Sequence, residues 1–312
     1  MKSYIKLIIT ILSAFIFAGV VVYVKNAYTY RLPNEAMGIP SVTCRGHVGT
    51  LFMGSSAYRK GIDMYELSKS SDSLNSEMGV DCFMLTYNGN QPFNMAIELD
   101  QIVKSGCTID RLVVDLNPSM MDRGADLSDK RLLWDIDFGA KRRLYNELKK
   151  REDSGAFLFY DYWVLSNMDY LVTYPIAKPL ISARYYLGGS AKSEESSGKD
   201  AGFLNELEIV ENPGLDKLQL SSIDEIIDIC SENDIELIFL ESPRYITMAK
   251  NPNYSAKKQE LTEYISARKV RTITAEELDF DNSNPSYYAD LTHMSAEGSK
   301  VLTAAIMKAF AE

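Results

Sequence analysis

Short apolar runs alternate with segments of helical period along most of this chain. TLFMG at 50–54 is an apolar run ending in glycine, and a polar, helix-compatible stretch follows it to about residue 78. CFMLTY at 82–87 reads as a second buried strand. From Phe93 onward, apolar residues fall at 93, 96, 97, 99, 102 and 103, the spacing of an amphipathic helix, with Gly106 as its stop. RLVVDL at 111–116 and ELIFLE at 236–241 are further strands, the latter preceded by a helix over 217–232. KVRTIT at 269–274 is a weaker fifth strand, and a last helix runs from Ser295 to the C-terminus with Glu297 in its first turn. Strands that alternate with helices predict βαβ units: an α/β domain with a parallel sheet covered by helices on both faces.

Two regions depart from that rhythm. Residues 120–215 are rich in aromatic and basic residues and include a polar tract at 189–202, GSAKSEESSGKDAG, that reads as a loop. The whole stretch is expected to be a helical insertion. Its basic run Lys141–Arg151, with Trp134 and Trp163 nearby, suits either contact with a membrane or polymer or a solvated helix face. At the other end, eighteen residues between Lys6 and Lys25 carry no charge. As a helix rising ~1.5 Å per residue they span about 27 Å, near the ~30 Å of a hydrocarbon core. Lys2 and Lys6 favour a cytoplasmic N-terminus. A cleaved signal peptide is the alternative, but no A-x-A-like site follows Val24. The expected organisation is a single transmembrane anchor at 1–25, a stalk at 26–48 and the α/β domain at 49–312 outside the cytoplasm.

Composition narrows the chemistry. A net charge of −10 argues against nucleic acid, which requires a basic surface. Cys44, Cys82, Cys107 and Cys230 could form disulfides outside the cytoplasm, yet three of them border or enter apolar strand-like runs, as small buried hydrophobes do. With no C-x-x-C pair and only two histidines, no metal or cofactor is implied.

Sites in open parallel sheets form beyond the carboxyl ends of strands. Gly54-Ser55-Ser56 follows the first strand, Asn88-Gly89-Asn90 the second, Asn117-Pro118-Ser119 the third and Ser242-Pro243-Arg244 the fourth; Asp290-Leu291-Thr292-His293 precedes the last helix. A serine nucleophile needs a base within hydrogen-bond reach and an acid to orient that base. Asp290 and His293, three apart at the mouth of a helix, can supply both. Taken alone, Ser56 is also a natural helix N-cap.

FMGSSAYRKGID, YNGNQPFN, VVDLNPSM and YYADLTHMSAEGSKVLTAAI together resemble the SGNH/GDSL hydrolase superfamily, and more narrowly its membrane-anchored branch of DltD-like and polysaccharide O-acylation proteins. The resemblance covers about 48–120 and 235–310. It implies a three-layer, flavodoxin-like sheet, Ser56 as nucleophile, His293 as base and Asp290 as its orienting acid. It further implies an oxyanion hole from the Ser56 and Gly89 N–H groups with the Asn117 amide, and Asn90 and Arg244 are candidate substrate contacts. Ser55 stands where the family has Asp or Asn, and Asp115-Leu116-Asn117-Pro118 keeps only the Asn of the third motif. The implied activity is an extracytoplasmic serine esterase or O-acyltransferase of acetyl or D-alanyl type. Its substrates would be a cell-surface glycopolymer or acyl carrier, with a membrane-bound O-acyltransferase as partner. The alternative is a non-catalytic scaffold of a polysaccharide or teichoic acid modification system.

Overall fold

The computed structural model describes residues 4–10, 12–13, 16–17, 20, 38–64, 66–67, 82–122, 124–129, 132–151 and 214–311. Five parallel strands form its centre: β1 (His47–Gly54), β2 (Cys82–Thr86), β3 (Thr108–Asp115), β4 (Glu236–Leu240) and β5 (Arg271–Ile273). Their order is β2-β1-β3-β4-β5. Before, between and after them run α1 (Ile39–Thr43), α2 (Ser56–Gly61), α3 (Pro92–Lys104), α4 (Leu132–Asp135), α5 (Phe138–Arg151), α6 (Lys217–Glu232), α7 (Ile246–Ala249), α8 (Pro252–Ser266) and α9 (Ala296–Ala311).

The register shows why the strand sequences are nearly continuous apolar runs. Leu51 lies beside Phe83 and Leu112, and Met53 beside Leu85 and Val114. This row faces α3, α6 and the inner side of α8. The alternate row, Phe52, Met84, Val113 and Ile238, faces α2 and α9. Both faces of the sheet are therefore covered, and both rows must be apolar. Burying each such side chain contributes about 1.5–3 kcal/mol, which is ample to fix the register.

Two boundaries differ from the pattern reading. The folded unit extends before residue 49, because α1 buries Ile39 and Val42 in the core and β1 already begins at His47. A five-residue helix is too short to display a period. Within the expected insertion, α4 and α5 belong to the main core through Leu132, Leu133, Ile136, Leu144 and Leu148. Arg143 of the basic run pairs with Glu225 on α6 rather than facing away. Residues 152–213, with Trp163 and the polar tract, lie outside the described residues, as does the side chain of Trp134.

No helix among the described residues is long and apolar enough to cross a membrane. The described part of the expected anchor, residues 4–10, 12–13, 16–17 and 20, is helical with exposed apolar side chains, and the rest of it falls outside those residues. None of the four cysteines forms a disulfide: Cys107 and Cys230 are buried, Cys82 is partly so and Cys44 is exposed. Burial pushes the Cys230 thiol up to about 12, so it remains protonated.

Candidate active site

Three strand-end loops and the turn before α9 meet at the carboxyl edge of the sheet. β1 ends at Gly54, and the chain turns directly into α2. A Cβ on Gly54 would lie 2.8 Å from the Asp115 Cβ and from the Tyr58 ring, so only glycine lets β3 and α2 approach this closely. Ser55, not Ser56, caps α2: its Oγ accepts from the Ala57 N–H at 3.3 Å. The Ser55 hydroxyl in turn donates to Asp115 Oδ2 at 2.9 Å, and its N–H reaches the same oxygen at 3.4 Å. With the capping duty taken by its neighbour, the Ser56 side chain at the first helical position is left for other work.

That side chain points at a histidine. The Ser56 Oγ–H donates to His293 Nε2 at 2.8 Å. On the far side of the ring, Nδ1–H donates to Asp290 Oδ2 at 2.7 Å, with Oδ1 at 3.0 Å. This assigns the tautomer that leaves Nε2 as an acceptor. The Asp290 carboxylate is further fixed by the N–H groups of Thr292 at 2.9 Å and His293 at 2.8 Å and by the Thr292 hydroxyl at 3.0 Å. Partial burial works against its charge, but the hydrogen bonds from His293 and Thr292 outweigh that, and the carboxyl is held well below the usual carboxylate range.

The turn carrying this pair is braced at its base and its tip. Tyr288 and Met294 form an isolated antiparallel bridge, Ser295 N–H donates to Tyr287 O at 2.9 Å, and Ser295 Oγ to Ser286 O at 2.6 Å. At the tip, the Tyr245 N–H donates to Leu291 O at 3.4 Å and Arg244 Nη1 to Thr292 O at 2.9 Å.

The other sequence-predicted residues divide. β1 lies between β2 and β3, so the loops holding Gly89 and Asn117 flank the Ser56 loop. Gly89 sits at φ +59, where an added Cβ would also meet Ser128 Oγ at 2.7 Å. A hydrogen bond from the Arg59 guanidinium to Asn88 Oδ1 fastens this loop to α2. Asn117 Oδ1 accepts from the Ser119 N–H at 3.1 Å, which leaves its Nδ2 without an acceptor among the described residues. Asn90, by contrast, is withdrawn from the site: it is 1% exposed, and its amide donates to Gly54 O and to Glu98, both at 3.3 Å. Arg244 is likewise buried, at 4% exposure, beneath the turn rather than at its surface.

Sequence reasoning did not single out Asp115 or Thr292. Asp115 is fully enclosed at the end of β3. Burial raises its carboxyl, while the Arg244 charge and the hydrogen bonds from Ser55 pull it back down. The available signal was an acidic residue closing an otherwise apolar strand. Among the described residues no cluster of His, Cys, Asp or Glu is arranged to hold a metal ion.

No protein-family model matches the chain, and no curated protein does either. Among solved structures it is similar to a protein of Bacteroides fragilis assigned as an acylhydrolase, at 10% identity and TM-score 0.39, covering 90% of each chain. It is also similar to a GDSL-like lipase of Bacteroides thetaiotaomicron, at 10% identity and TM-score 0.38, covering 88% of this chain and 98% of the other. Likenesses this distant carry no argument about function, so the functional reading stands on the geometry.

Proposed function

We propose that the chain is a serine esterase or O-acyltransferase of the SGNH/GDSL type, anchored by residues 1–25 and working outside the cytoplasm on a cell-surface glycopolymer. The observation that supports it is the unbroken hydrogen-bond chain Ser56 Oγ–His293–Asp290 at the carboxyl edge of a parallel sheet. Supporting the location is the uncharged run 7–24.

In this reading Ser56 Oγ attacks an acyl carbonyl while its proton passes to His293 Nε2. The Asp290 carboxylate holds the ring and stabilises the imidazolium. The Ser56 N–H, at a helix start with no intrahelical acceptor, the Gly89 N–H and the Asn117 amide face the developing oxyanion. The imidazolium protonates the departing alkoxide, leaving an acyl-Ser56 ester. His293 then deprotonates an incoming hydroxyl, of water or of a sugar, which takes the acyl group and restores Ser56.

The test is turnover of p-nitrophenyl acetate and labelling by a fluorophosphonate, using the full chain in detergent alongside its Ser56→Ala form. The wild type should turn over and label once, and Ser56→Ala should lose labelling and at least ~10⁴ in kcat. Equal rates from the two proteins would sink the reading and leave the non-catalytic scaffold. Including a polymer acceptor then separates transfer from hydrolysis.

A further inference from the structure

Arg244 is a buried cation on the short loop after β4, bonded to the turn that carries Asp290 and His293. A buried guanidinium is tolerated only where partners replace water. Here Nη1 donates to Thr292 O at 2.9 Å, the carbonyl just before His293. The guanidinium also lies in the field of the buried Tyr254, Asp115 and Glu241, the last two 3% and 2% exposed. The adjacent Tyr245 N–H holds the preceding carbonyl of the same turn, Leu291 O, at 3.4 Å. On the other side of the network, Asp115 Oδ2 accepts both the hydroxyl and the N–H of Ser55, the residue preceding the nucleophile.

We infer that Arg244 is a positioning residue that braces the turn of His293 from the loop after β4 and so keeps His293 Nε2 within hydrogen-bond reach of Ser56 Oγ. This rests on the triad reading given under Proposed function. Arginine suits the task better than lysine because its planar fork offers several donors in fixed directions and never loses its charge. Its attraction for Asp115 favours the ionised carboxylate that accepts from Ser55 twice. The rival role is ligand contact, since Arg244 also lines a cavity of about 420 Å³ with Glu241, Tyr254, Lys258, Glu276 and Asn282. A contact residue spends its binding in KM, whereas loosened alignment of a nucleophile and its base is lost from kcat.

The experiment uses the full chain with Arg244→Lys and Arg244→Ala, read in two ways. The first is p-nitrophenyl acetate turnover. Arg244→Ala should lose roughly 10²-fold in kcat, the scale set by about 1 Å of misplacement, with KM within about twofold. Arg244→Lys should recover part of that loss, as should guanidinium added to Arg244→Ala. A raised KM with kcat intact would overturn the inference in favour of ligand contact, and unchanged kinetics would overturn it outright. The second readout needs no turnover: the downfield proton resonance of the His293 Nδ1–H bonded to Asp290, assigned by its loss in His293→Gln. It should broaden or vanish in Arg244→Ala and partly return in Arg244→Lys. Should Arg244→Ala fail to fold, Arg244→Lys carries both readouts. If the wild type shows the resonance but no Ser56-dependent turnover or labelling, the enzymatic reading fails. In that case the resonance alone decides Arg244, and an unchanged signal in the variants overturns its positioning role.

Discussion

At the scale of single residues, the site is a sorting of nearly identical groups by their neighbours. Ser55 and Ser56 are adjacent and chemically alike, yet Ser55 is spent on the helix cap and Asp115, and Ser56 alone faces His293. Asp115 and Asp290 diverge in the same way. Burial raises the first, whereas hydrogen bonds from His293 and Thr292 hold the second well below the usual carboxylate range. The sign of the consequence for Asp290 follows by linkage. A carboxyl depressed in the folded state contributes stability above its unfolded pKa of ~3.9, and that contribution is lost as pH falls toward the folded value. Asp290→Asn can still accept the N–H groups of Thr292 and His293 but carries no charge to titrate. Denaturant unfolding of both proteins from pH 6 down to pH 3 should show the wild type more stable at the upper end and the gap narrowing at the lower. Because the Asp290 side chain is about half-exposed, solvent screening keeps the gap modest. A gap that stays constant or widens on acidification would contradict the assigned hydrogen bonds.

At the scale of elements, the decisive contact is backbone against backbone. Gly298 in the first turn of α9 packs on the turn Pro285–Tyr287, and a Cβ there would lie 1.9 Å from Tyr287 O. Main chain cannot rotate away as a side-chain tip does. Gly298→Ala must therefore push α9 or the Asp290–His293 turn aside, at about 1–3 kcal/mol or more. Gly61→Ala is the matched control, since its Cβ would meet Leu302 Cδ2 at an ordinary 3.4 Å. Thermal melting should drop for the first, by ~2–4 °C per kcal/mol, and stay near wild type for the second. Fluorophosphonate labelling should slow only in Gly298→Ala; equal melting of both would show that the turn yields freely. Much of this layer was legible beforehand. The apolar runs marked every strand because both sheet faces are covered, and the strand ends marked where Ser56, Gly89 and Asn117 would emerge. What the pattern did not carry is pairing across long separations. The Ser55–Asp115 bond joins positions 60 apart, the Arg244–Thr292 bond positions 48 apart, and neither leaves a local period. Asn90 was misplaced for a related reason: a polar residue in a loop looks available until a buried glutamate and the Gly54 carbonyl take its amide.

At the scale of the molecule, the strand order makes β1 both the middle of the left-hand half of the sheet and the carrier of Ser56. It pairs with β2 on one edge and β3 on the other. Its first residues are held by α1, where Ile39 and Val42 are buried and the Cys107 thiol reaches Val42 O at 3.7 Å. The segment before residue 49 is therefore expected to be structural as well as connecting. A fragment starting at 49 would lose Ile39, Val42 and Val48 from the core, each worth about 1.5–3 kcal/mol. It would also lose the pairing of His47 and Val48 with Thr108 and Ile109. Against a typical total stability of ~5–15 kcal/mol, that is enough to leave the fragment unfolded or barely folded. A fragment starting at 26 retains all of these contacts. Circular dichroism melts and limited proteolysis should find the longer fragment cooperative and resistant, and the shorter one non-cooperative and rapidly cut. Matching midpoints would mean that α1 merely rests on the domain. The comparison bears on the site as well, because a frayed β1 would release Gly54 from Asp115 and Tyr58 and carry Ser56 away from His293.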